Sequence, residues 1–466
     1  MSRIKICRWI APVLSLTMAL GLCSGCGEAS LEKGASSASG GVAEVATGEA
    51  ASPAATKAAF HGINAPGFER TMEQAEREAS GERYVHGEDG YFLLAEHGAD
   101  TELKIQKELR SSWVYAASTS MESSSLVTRG DRIHVDPYEI LDAVYASDKK
   151  EGILPDAVGN KEVGGHGRYI VDTLTNGFGK HVLASVRDCE GLSIAQIQEA
   201  IRTYGAMTTG MTEAHNGRGF YDGYFTQLDT ENKNDHAVTI VGWDDHFPRE
   251  IFTKTSFVDM PSQDGAWIAQ DSLMNTDYIY ISYDTQIIDA YIYELSDDYG
   301  EVVSYDAGCE GTVKTGAETT LANVFHKKGT LAAVGTYIPE DGETAQVRVY
   351  EEKSGKLLGE ASETFPIKGY YTLPLAEPVS VSDYRIEVSY DGAAPVEGDA
   401  WDDEYVTFRA QSKRGESYVK RDGKWVDLAN YNYNNKSKKK AETRKAKREL
   451  GAGSVPHNAC IKALYQ

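Results

Sequence analysis

The sequence predicts an α+β domain followed by an all-β sandwich. Three observations carry that expectation. Residues 193–205, SIAQIQEAIRTYG, space Ile194, Ile197, Ile201 and Tyr204 as one face of a helix, with Ser193 and Gln196 placed for a capping box and Gly205 to end it. Strand-like runs follow at HAVTIVGW, GAWIAQ and DYIYISYD, and helices before strands is the order of an α+β chain. From about residue 300 the texture changes to short alternating runs, TLAAVGTYI, AQVRVYEE, YYTLPL and YRIEVSY, separated by turn signals such as Asp341-Gly342 and Ser354-Gly355.

The elements before these are read from the N-terminus. Arg3, Lys5 and Arg8 precede an apolar run from Ile10 to Leu22, which fits a secretory signal and is too short for a spanning helix. The run ends in CSGC, which resembles a lipobox, so Cys26 is the expected lipidation site and 1–26 a lipoprotein-type signal peptide. Residues 27–58 are Ala, Gly, Ser and Glu with almost no large apolar side chain. Such a segment buries no core, and we read it as a disordered tether spanning on the order of 30 Å. The expected folded domains are then 59–298 and 299–466. The expected location is the cell envelope outside the membrane, with the membrane as partner through the lipid.

The chain has 466 residues, 41% hydrophobic and 25% charged, and a net charge of −23, which argues against nucleic acid as a partner. Cys189, Cys309 and Cys460 remain after the signal, without CxxC or metal-ligand spacing, so no metal site is expected. No phosphate-binding Gly loop appears, and no cofactor is expected. The acidic runs lack the spacing of a calcium loop. His215 reads as a loop residue and His246 as surface. Residues 434–454 carry eight Lys or Arg against two Glu. They read as a solvated insertion loop, with contact to an anionic polymer or head group as the alternative.

The candidate chemistry starts at LRSSWVYAASTSMESS, residues 109–124. Trp113, Ala116, Ala117, Ser120 and Met121 share a helical face, which puts Ser111 and Ser112 at a helix N-terminus with its free N–H groups. Gln106 lies before it, His236 opens the apolar strand HAVTIVGW, and Asp271 closes GAWIAQ. In this order the motifs resemble the papain family, in particular bacterial surface forms with a C-terminal lectin-like domain. The resemblance covers roughly residues 85–466. It implies Gln106 as oxyanion donor, His236 as catalytic His, and Gly164-Gly165 with Trp113 as the substrate-binding edge. It also implies a peptide or protein as ligand, with a glycan or cell-wall polymer at the lectin-like domain.

The departures decide the chemistry. The family's nucleophilic Cys is Ser112, its His-orienting Asn is Asp271, and the Trp and Gly that follow are Leu273 and Met274. Leu109 replaces a Cys, so the family's local disulfide is absent. A cysteine site lowers its thiol from about 8.5 to about 3–4 and stores a thiolate–imidazolium pair. A hydroxyl cannot follow, because a helix terminus supplies at most about 2 kcal/mol. Two readings result. In one, this is a non-catalytic pseudopeptidase that binds peptide. In the other, Ser112, His236 and Asp271 form a serine triad with Gln106 as oxyanion donor.

Overall fold

The computed structural model describes residues 86–466 except 108–109, 147–148, 156–163, 212–218, 222–223, 228–233, 235, 253–259, 274–277, 403–404 and 433–438. The signal sequence, Cys26, the tether, Leu109, His215 and Met274 lie outside the described residues. Among the described residues, no helix is long and apolar enough to cross a membrane.

The first half is built on a seven-stranded sheet. Its centre is the strand His236–Asp244, in which all nine residues are buried. A strand covered on both faces loses the alternation of a half-exposed one, which is why HAVTIVGW reads as a continuous apolar run. It pairs antiparallel with Ala266–Gln270 on one side and with Met207–Met211 and Tyr91–Leu93 on the other. The expected helix is present at Ile194–Tyr204, with both bonds of the Ser193/Gln196 capping box and Gly205 at φ +102.

The long helix Ser112–Arg129 differs from the one-faced helix the sequence suggests, because every residue from Ser112 to Ser125 is buried. Small polar residues allow this. Ser118 Oγ donates to the Val135 carbonyl at 2.6 Å, Ser120 Oγ donates to the Ala206 carbonyl at 2.7 Å, and Ser123 Oγ accepts from the Ala206 N–H at 3.0 Å. Each buried hydroxyl that finds a partner avoids a desolvation cost of about 1–3 kcal/mol.

The second half is the expected β-rich sandwich, with two strands much longer than the sequence shows. Thr319–Ile338 and Gly369–Tyr390 run antiparallel along their length, with register shifts between His326 and Gly329 and between Leu331 and Ala333. Gly369–Tyr390 absorbs two of the short runs read from the sequence, YYTLPL and YRIEVSY, and Thr319–Ile338 extends TLAAVGTYI toward the N-terminus, because bulges bend a strand without ending it. Thr344–Glu351 alternates buried and half-buried side chains as expected of a strand with one face on the core. The basic segment corrects the reading of a solvated loop. Lys439–Leu450 is a helix, held down by Ala446 and Leu450 in the sandwich core.

Backbone pairing crosses between the halves. Val182–Asp188 bonds to Tyr291–Ser296 on one edge and to Gly369–Tyr371 on the other, within a ten-stranded sheet. Gly152–Pro155 pairs with Val406–Arg409 in a separate small sheet. Lys462 and Asp306, both fully buried, pair at 2.6 Å, and Lys462 Nζ also donates to Asn176 Oδ1 at 3.0 Å. Residues from the sandwich therefore help frame the first half.

Candidate active site

Ser112 is the first residue of the long helix, with Ser111 at the N-cap and its carbonyl accepting from Val114 N–H at 3.1 Å. Arg110, two residues earlier, holds a left-handed φ of +66. A non-glycine residue there costs about 1–2 kcal/mol, and such strain clusters where a loop must aim the next residue. Ser112 is 6% exposed and His236 4%.

His236 Nε2 and Asp271 Oδ1 hydrogen-bond at 2.9 Å. A carboxylate only accepts, so Nε2 carries a proton, and in the neutral imidazole Nδ1 then presents the lone pair. Asp271 Oδ1 also accepts from the Leu273 N–H at 2.9 Å, an Asx-type turn that fixes the carboxylate. The imidazole tautomer a general base needs is therefore held in place.

Ser112 is placed differently. Its Oγ accepts from the backbone N–H of Ala237 at 3.2 Å, and no hydrogen bond joins it to His236 among the described residues. The hydroxyl stands beside the residue that follows the histidine rather than on the imidazole.

Gln106 is held by the residue next to Asp271. Its N–H donates to the Ser272 carbonyl at 2.9 Å, and its Oε1 accepts from Ser272 Oγ at 2.6 Å. Lys104 fastens the same segment to the long helix through Glu122 at 2.8 Å. Burial pulls the Lys104 ammonium below its usual range, against the Glu122 carboxylate that raises it.

Gly164 and Gly165 sit where no larger residue fits. A Cβ on Gly165 would lie 2.5 Å from Trp113 Cε2, and one on Gly164 would lie 2.8 Å from Tyr405 Cζ. Tyr145 Oη donates to the Gly164 carbonyl at 2.5 Å. Trp113 is 4% exposed and meets Tyr145 and Tyr169 edge-on. The double glycine thus passes between the helix and a residue of the sandwich.

Cys189 is no substitute nucleophile. It is fully buried, and burial pushes its thiol up to about 12, with the Asp188 charge adding to that. A reactive cysteine needs the opposite shift.

Sequence reasoning brought Ser112, His236, Asp271 and Gln106 to one region, linked through Ala237 and Ser272. It missed Ser272, whose only signal is adjacency to Asp271. It also missed Tyr405, Trp401 and Tyr145, which lie far from the motifs in the chain.

Fold and site together define a papain-like fold joined to a lectin-like β-sandwich. Residues 302–443 match the family model described as a lectin-like domain. Two solved structures share the two-domain fold. One is the Clostridial cysteine protease Cwp84 after propeptide cleavage, with a TM-score of 0.63, 19% identity, and 80% of this chain and 98% of that chain covered. The other holds the cysteine protease and lectin-like domains of Cwp84, a surface layer associated protein of Clostridium difficile. Its TM-score is 0.64 at 18% identity, with 84% of this chain and 96% of that chain covered. No curated protein matches the chain.

Proposed function

We propose that this chain is a cell-surface protein whose papain-like cleft binds peptide or protein without cutting it. The observation that carries this reading is Ser112 at the nucleophile position, with its hydroxyl engaged by Ala237 N–H rather than by His236. A hydroxyl stores no thiolate-like charge, so without an imidazole contact it has no activated form. The surface-layer association of Cwp84 supports an extracellular location. The proposal places Cys26 as a lipidated N-terminus, 27–58 as tether, 59–298 as the cleft domain and 299–466 as the lectin-like domain. That second domain then grips a glycan, a wall polymer or a partner protein.

A second reading is favoured by one observation. The buried His236–Asp271 bond is the arrangement a serine triad uses to strengthen its base. Cleavage of a diverse peptide library by the protein and by Ser112→Ala separates the two readings. The binding reading expects no cleavage by either and peptide retention by both. Cleavage that vanishes in Ser112→Ala would replace it with a serine-dependent hydrolase.

A further inference from the structure

We propose that Cys309 and Cys460 are a redox pair that closes to a disulfide and ties the start of the sandwich to the last strand of the chain. The proposal goes beyond the peptide-binding reading and takes from it only the extracellular location, where such bonds persist. Cys309 lies between the strands Glu301–Val303 and Gly311–Val313. Cys460 precedes the strand Ile461–Tyr465, which pairs with Thr319–Ile338 and with Glu301–Val303. Both cysteines are thiols in the structure.

Three contacts bring the two segments together. The Cys309 and Cys460 thiols are hydrogen-bonded to one another. Cys460 Sγ also donates to the carbonyl of Gly308, the residue before Cys309, at 3.6 Å. Asp306, just before Cys309, forms its buried pair with Lys462, just after Cys460, at 2.6 Å. The backbone is held on both sides. Cys309 N–H donates to Asp172 Oδ1 at 3.1 Å, and a Cβ on Gly308 would lie 2.7 Å from Asp172 Cγ. Cys460 N–H donates to the Pro395 carbonyl at 3.2 Å, and its own carbonyl accepts from Thr336 Oγ1 at 2.8 Å. A disulfide needs its Cβ atoms about 4 Å apart, and two thiols already in contact approach that without a strand having to move.

The two thiols differ in access. Cys309 is partly exposed, whereas Cys460 is fully buried, and burial holds its thiol well above the usual range. Cys309 is therefore the entry point. Its thiolate attacks one sulfur of an external disulfide, either a small-molecule disulfide such as oxidised glutathione or that of an oxidoreductase. The external S–S bond breaks, a mixed disulfide forms at Cys309, and the departing thiolate takes up the proton Cys309 gave up. Cys460 then attacks the Cys309 sulfur and passes its proton to the second departing thiolate. Two protein thiols are oxidised to one disulfide, and the external disulfide is reduced to two thiols. The bond encloses most of residues 302–443, the lectin-like match, in a loop of about 150 residues, and cross-linking restricts the unfolded chain more as the loop lengthens. Cys189 belongs to the core around the His236 strand and takes no part.

The test oxidises the full chain with glutathione disulfide. The reduced protein is equilibrated with the oxidant, unfolded in urea with iodoacetamide and no reductant, digested, and mapped by mass spectrometry. The expected result is a pair of peptides joined through Cys309 and Cys460, lighter by two hydrogens, with Cys189 alkylated. The oxidised protein should unfold at a urea midpoint on the order of 1 M above that of the reduced one. Cys460→Ala should abolish both the joined peptides and the midpoint shift. Cys309→Ser, at the partly exposed position, should do the same and covers the case in which Cys460→Ala fails to fold. Alkylation of both Cys309 and Cys460, a glutathione adduct that persists at Cys309, or a bond through Cys189 would overturn the pair. Joined peptides without a midpoint shift would overturn the tie. None of these outcomes involves peptide retention, so the binding reading stands or falls separately.

Discussion

Acidification from pH 7 to pH 5 is expected to stabilise the protein against Asp172→Asn by about 1 kcal/mol. Asp172 is buried in the helix Gly167–Leu174, with Oδ1 accepting from Cys309 N–H at 3.1 Å. Burial pushes its carboxyl up to about 6, against the opposing pull of Arg168 and of that N–H. In the unfolded chain the group returns to about 3.9. The folded protein therefore holds the proton more tightly. The stabilisation this confers is complete below about 3.9 and is lost as pH rises through about 6. Between pH 5 and 7 the difference amounts to roughly one pK unit, or about 1 kcal/mol. Asparagine keeps an acceptor for Cys309 N–H and does not titrate. Urea unfolding at both pH values, on both proteins, reads the effect as a relative midpoint shift on the order of 0.3 M. Asp188 and Glu397 are also pushed up by burial and move both proteins together, so the difference isolates Asp172. Identical pH shifts in the two proteins, or a larger gain in the variant, would refute the reasoning.

Four further outcomes follow from the geometry. Gly165→Ala places a Cβ 2.5 Å from a buried indole and should cost about 1–3 kcal/mol in urea unfolding, with peptide retention falling as the edge moves. Retention and stability both unchanged would show that Trp113 yields freely. Asp306→Ala strands the fully buried Lys462 and should cost about 3–5 kcal/mol, which Asp306→Leu with Lys462→Met should largely restore. A double variant as unstable as the single one would place the loss in packing rather than charge. Ser193→Ala removes the capping box at an expected cost of about 1 kcal/mol while leaving peptide retention alone. Ser112→Cys should restore little library cleavage, because Asp271 and Leu273 replace the residues that support a thiolate pair. Vigorous cleavage by that variant would show the surrounding site intact.

Where the sequence was legible, a local rule was at work. The Ser193 capping box and Gly205 stop depend on residues within a dozen positions, and both appear as read. The His236 strand was legible because burial on both faces leaves an unbroken apolar run. The long helix was read as one-faced because its serines look polar in sequence. Their partners Val135 and Ala206 are supplied by other elements. The two long strands of the sandwich look shorter in the sequence, since the irregularities break both alternation and pairing locally, and pairing resumes beyond them.

The sequence by itself determined the order of the two architectures and the residue types at Gln106, Ser112, His236 and Asp271. Those types already exclude a stored thiolate at Ser112, because that limit is a property of the hydroxyl. Only the tertiary structure decided which contacts those residues make. His236 took Asp271 while Ser112 took the Ala237 N–H, a choice set by the placement of strand and helix ends to within an ångström. The contact that sets Tyr405 against Gly164 likewise draws on segments over 200 residues apart. No periodicity in a chain encodes such neighbours, because hydrogen bonds and charges act over a few ångströms of space irrespective of separation along the backbone.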